Sequence, residues 1–205
     1  MPAGSILLIV VAIAAFFGLL HRVLDRMGLT DWAAVLWIGA IVVGSYFNVS
    51  LGMEPQLTVN VGGAVIPVVF AVFLISRADT QVETARAVVA LFVTGIFVFG
   101  LGKILPEDPH AMIIDPLWAF GLAGGIIAYL LGRSRRTAFL AGMLGVLVAD
   151  LLHFAELIAL DISGRVWLGG GGAFDAVIIA GIIAVFLAEV VGEFRERLAQ
   201  RAGVS

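Results

Sequence analysis

A chain of 205 residues, 61% of them hydrophobic and 13% charged, with a mean hydropathy of +1.12, cannot cover itself with polar groups as a water-soluble domain does. The net charge of −3 comes without any basic stripe, which excludes a nucleic-acid binder, and the lack of cysteine excludes disulfides and thiolate chemistry. The remaining class is an integral membrane protein, whose first partner is the lipid bilayer.

About 20 apolar residues carry a helix across the hydrocarbon core, and the runs give seven candidate spans. The first, Ser5–Leu20, has no basic region before it and no small-residue cleavage site after it, so it reads as a retained span rather than a leader. Arg22 and Arg26 follow it. Thr30-Asp31 caps the second span, Ala33–Leu51. The third, Gly62–Ser76, carries Gly62-Gly63 and Pro67 near its start, so a broken helix is expected there. Arg77 and Arg86 flank the passage to the fourth, Val82–Ile104. Glu107, Asp108 and His110 form a polar loop without metal-ligand spacing. Asp115-Pro116 then supplies an N-cap and first-turn proline for the fifth, Pro116–Leu131. Arg133, Arg135 and Arg136 precede the sixth, Thr137–Leu160. Four glycines, 169–172, open onto the seventh, Phe174–Phe194, where a re-entrant turn is expected, and Arg195, Arg197 and Arg201 follow.

With seven spans those ten arginines fall on one side, and only Lys103 and Arg165 fall on the other. Cytoplasmic loops collect lysine and arginine, so the N-terminus is expected outside and the C-terminus in the cytoplasm. The fold class expected is therefore all-α: one polytopic bundle, residues 1–205, with Gly-rich breaks near spans three and seven.

Helical rise, about 1.5 Å per residue, converts sequence distance into depth. Counted from the cytoplasmic edge, Asn48, Asn60 and His153 come out at roughly 25 Å, Asp150 at roughly 21 Å, and Glu156 and Asp175 at roughly 30 Å. Glu156 then reaches the solvated interface. The others gather in the outer third of the membrane. An ionisable group there costs about 2.5–3.5 kcal/mol or more, so it should face the bundle or a wet cavity. Asp150 and His153, three apart, share one helix face. Asp175 beside the glycines is either an N-cap or a site residue. The amides Asn48 and Asn60 either tie segments together or contact a substrate. Gly171 and Gly172 can turn backbone N–H groups toward the same place.

Four segments, GSYFNVSL (44–51), VNVGGAVIPV (59–68), LGVLVADLLHF (144–154) and LGGGGAFDAVIIAGIIAVFLA (168–188), resemble the prokaryotic membrane-protein family known as "domain of unknown function 1614". The likeness covers about residues 40–190 and implies that these segments belong together in a prokaryotic inner membrane; it implies no activity. The pair Asp150 and Asp175 on consecutive spans, the second after a glycine turn, is also similar in outline to intramembrane aspartyl proteases of the presenilin and signal-peptide-peptidase type. The chain departs from that pattern: Ala173-Phe174 separates the last glycine from Asp175, and no Pro-Ala-Leu follows.

Three chemistries suit these residues. Two close carboxylates can share a proton and act as base and acid in hydrolysis, with Asp150 and Asp175 as the dyad and His153 orienting Asp150. Alternatively, Asp150, His153 and Asp175 relay protons or bind cations in a transporter, with Asn48 and Asn60 on the substrate. Thirdly, the same three side chains offer a mixed oxygen and nitrogen ligand set for a metal, or the protein is a scaffold. Hydrolysis of a membrane-embedded or small-molecule substrate ranks first. No motif names a cofactor, and the small size is compatible with a homo-oligomer.

Overall fold

The structure, a computed structural model, describes residues 17–18, 21–25, 27–52, 54–77, 80–105, 115–132 and 134–201, the side chains of 193 and 195–201 excepted. The first expected span lies outside these residues apart from 17–18, as do Arg26, the loop residues Glu107, Asp108 and His110, and Arg133. In chain order the elements are α1 (Asp31–Gly44), β1 (Asn48–Ser50), β2 (Gln56–Asn60), a π-helical turn (Val61–Val65), α2 (Ile66–Ser76), α3 (Gln81–Ile104), α4 (Pro116–Gly132), α5 (Arg135–Ala159), β3 (Arg165–Leu168), a 3-10 turn (Gly172–Phe174) and α6 (Ala176–Arg201).

The helices begin where short polar side chains can accept from exposed backbone N–H groups. Thr30 accepts from Ala33 N–H, Thr80 from Glu83 N–H, and Ser134 from Thr137 N–H. The Asp115 carboxylate accepts from Leu117 N–H at 2.9 Å beside Pro116. After these starts the sequences are apolar on every face, and α3 and α5 are each long and apolar enough to cross a bilayer.

The long helices α3 to α6 pack on one another, with α5 in the middle. Small residues set how closely they approach. Gly95 of α3 faces Val148 of α5, and Gly145 of α5 faces Thr94. Gly121 and Gly125 of α4, one turn apart, receive Ile179 and Ile183 of α6, and Gly142 of α5 lies against Ala180. Between apolar side chains in lipid it is this close backbone approach, more than apolar burial, that can hold helices together. Trp37, Phe70 and Phe139 join α1, α2 and α5 through ring contacts. Outward, the surface remains apolar: Val69, Val72, Phe92, Ile96, Leu130 and Phe186 are all exposed.

One end of the bundle carries a three-stranded sheet that hydropathy does not foresee. β1 pairs antiparallel with β2, Asn48 opposite Asn60, and β2 pairs parallel with β3, Gln56 opposite Arg165. Gln56 donates to Ser50 Oγ and accepts from Arg165 Nε, so one side chain links all three strands. The expected second span therefore stops at Gly44, and its last residues, which suit strand as well as helix, leave to form β1. Asn48 and Asn60 are strand residues, and depths counted along a continuous helix do not apply to them. At the opposite end, Arg135 pairs with Glu189, Arg136 donates to the Arg77 carbonyl, and Ser134 donates to Glu83.

Candidate functional site

The sheet end holds two glycine-broken helix starts that touch. Asn60 accepts from Gly63 N–H with its Oδ1 at 2.7 Å and so initiates the π-helical turn. A Cβ on Gly63 would collide with the carbonyl of Gly169, which itself has φ +63, so glycine at both positions permits the contact. From there the chain turns through Gly170 and Gly171 into the 3-10 turn, and Ala173 N–H donates to Ser45 Oγ at 2.8 Å. Ser45 Oγ in turn donates to the Ile41 carbonyl at 2.6 Å. The glycine loop is thus fixed to the end of α1 on one side and to the π-turn on the other.

Asp175 heads α6. Its Oδ2 accepts from Gly171 N–H at 2.7 Å and its Oδ1 from Val177 N–H at 2.9 Å. The residue therefore does the work of an N-cap, and it also lines a cavity of about 480 Å³. Asp150, just over four turns along α5, lines the same cavity; its carboxyl faces the Gly169 backbone and interacts electrostatically with Asp175. The chain reaches α6 through the folded glycine loop, so heights counted along straight helices do not fix the separation of the two carboxyls. Apolar walls come from Val98, Phe99, Leu117, Phe120, Val146 and Trp167.

His153 also lines the cavity, one turn beyond Asp150, but the expected contact between the two is not formed. Its Nδ1 lies 3.5 Å from Glu156 Oε2, a spacing that the shared face of one helix favours. Glu156 is not simply solvated: the same oxygen accepts from Lys103 at the last turn of α3. Lys103 lines the cavity too, and its ammonium stands 5.1 Å from the centre of the Phe99 ring. In the sequence Lys103 shows only as a charge at the expected outer end of the span Val82–Ile104. Nothing local links it to Glu156, which is 53 residues away.

Asn48 and Asn60 do not line the cavity. Asn60, 2% exposed, donates through Nδ2 to Asn48 Oδ1 and to the Ser45 carbonyl, both at 2.9 Å. These amides tie β1, β2 and the end of α1 together, behind the loop that carries Asp175. Gly171 supplies an N–H to Asp175, whereas Gly172, at φ +58, packs against Ser45. Among the described residues no three His, Cys, Asp or Glu side chains converge as a metal site, so Asp150, His153 and Asp175 share a cavity without forming a ligand set.

A family model described as "Protein of unknown function (DUF1614)" matches residues 36–187. No curated protein and no solved structure matches the chain.

Proposed function

Because the chain belongs to the DUF1614 family, whose description names no reaction, we propose a function from the site itself: a multi-pass membrane protein that hydrolyses a membrane-embedded or small-molecule substrate with Asp150 and Asp175. In this reading the N-terminus is outside, the C-terminus is cytoplasmic, and the cavity opens beneath the outer surface. The outward-facing apolar side chains and the two long apolar helices support the bilayer placement. The charges support the orientation. Arg77, Arg86, Arg135 and Arg136 cluster toward the end away from the sheet, while Lys103 and Arg165 lie at the sheet end.

The observation that carries the hydrolytic reading is the entry of two carboxyls, from α5 and from the head of α6, into one cavity with apolar walls. Two such groups in a medium of low dielectric do not both ionise readily, so they hold a proton between them. The ionised partner takes a proton from water as the water attacks the scissile carbon, and the protonated partner gives its proton to the leaving group. The N–H groups of Gly171 and Val177 suit Asp175 to the carboxylate role, which leaves Asp150 as the acid.

The test is incubation of the protein in liposomes with a native membrane extract in ¹⁸O-labelled water. Label should enter a new product with the wild-type protein. It should fall by about a hundredfold or more with Asp150→Asn or Asp175→Asn. Equal labelling with all three proteins sinks the reading. A proton- or cation-coupled transporter is the second reading, and the meeting of two broken helix starts at Gly63 and Gly169 favours it. Against it, the lining residues all sit toward one end of the bundle. Proton flux into liposomes that Asp150→Asn abolishes would favour transport over hydrolysis.

A further inference from the structure

We infer that the cavity takes an organic ammonium ion, as a free amine or as the cationic head of an amphiphile. The inference rests on the acid-pair cavity of the proposed function but not on any bond being broken there. Three independent features of the lining point the same way. First, the acid pair with its one shared proton still carries a negative charge, whereas Lys103, the only lysine or arginine in the lining among the described residues, has its charge already met by Glu156. Second, the walls include the rings of Phe99, Phe120 and Trp167, whose faces attract cations that have shed part of their water.

Third, the protein already shows an ammonium in this setting. The Lys103 Nζ stands over Phe99 at 5.1 Å and is held by a carboxylate, Glu156, at the rim. Ring face plus carboxylate is the pairing an incoming ammonium would meet deeper in the cavity, between Phe120 or Trp167 and the two aspartates. Lys103 is then a resident competitor: its charge repels a second cation and its side chain occupies the Phe99 face.

That role fixes the sign of the test. Purified protein in a non-ionic maltoside detergent is titrated calorimetrically with benzyltrimethylammonium, benzyl alcohol and benzoate. The ammonium should bind and the other two should not. Asp175→Asn should weaken it about tenfold or more, since the desolvated carboxylate is lost, and Asp150→Asn, which removes the protonated partner, should weaken it less. Asn can still cap α6, and unchanged circular dichroism would show that the fold is kept. Lys103→Met, at a half-exposed site, should tighten binding about tenfold. The inference is overturned if benzyl alcohol or benzoate binds as well as the ammonium, if no heat is seen with any probe, or if Lys103→Met weakens the ammonium. Because the readout is binding, failure to see hydrolysis in labelled water leaves this result standing, and the reverse also holds.

Discussion

Asn60 engages both polar ends of its side chain at a buried site: two donated bonds to Ser45 and Asn48, and one accepted from Gly63. Asn60→Ala would strand the Gly63 N–H and the Ser45 carbonyl without partners and should cost about 2–4 kcal/mol. Asn48→Ala removes one acceptor at an exposed position and should cost about 1 kcal/mol or less. Unfolding in a denaturing-detergent titration measures both, and equal losses would contradict the account. At this scale the sequence identified the residues better than their employment. Asn60 stood out as an amide in an apolar run, yet whether it faces a ligand or another strand depends on pairing with residues twelve or more away. Asp175 carries two readings, cap and site; the structure shows the cap, and the same residue lines the cavity. Lys103 and Trp167 had no local pattern to separate them from ordinary surface residues.

The pairing of α4 with α6 depends on Gly121 and Gly125. A Cβ at Gly125 would stand 2.6 Å from Ile183 Cγ2, and one at Gly121 would stand 2.7 Å from Ile179 Cγ2. Gly125→Ala should therefore destabilise by about 1–3 kcal/mol through overpacking. Gly100→Ala in α3, where a Cβ meets nothing among the described residues, should be neutral or stabilise by up to about 1 kcal/mol. Thermal unfolding of the two variants side by side checks the contrast. The elements themselves were largely legible. The runs Val82–Ile104, Pro116–Leu131 and Thr137–Leu160 anticipate α3, α4 and α5 to within about two residues, because caps and prolines mark their starts. The small sheet was not legible. Its strands are three to five residues long, and its central partner relation joins Gln56 to Arg165, so hydropathy merged β1 into the preceding helix.

For the molecule as a whole, orientation is the accessible question. The chain has no cysteine, so a single introduced one is unique. In intact cells a membrane-impermeant maleimide should label Ser163→Cys, exposed at the sheet end, and should leave Arg86→Cys, exposed toward the other end, unlabelled until the cells are opened. The reverse pattern would invert the proposed topology and put the cavity on the cytoplasmic side. The charge alternation that suggests this orientation is a global property and was visible in the sequence. The cavity was not, because it exists only where four helices and the glycine loop meet.

The parallel pairing of β2 with β3 has a consequence for how the molecule comes into being. Gln56 meets its strand partner 109 residues later in the chain, and Gly63 waits equally for Gly169. A ribosome must therefore deliver more than a hundred further residues before β2 gains its second neighbour and the π-turn its backing. Until then the nascent protein has Asp150 without the loop that presents Asp175, so both aspartates can line the cavity only after residue 175 has been made.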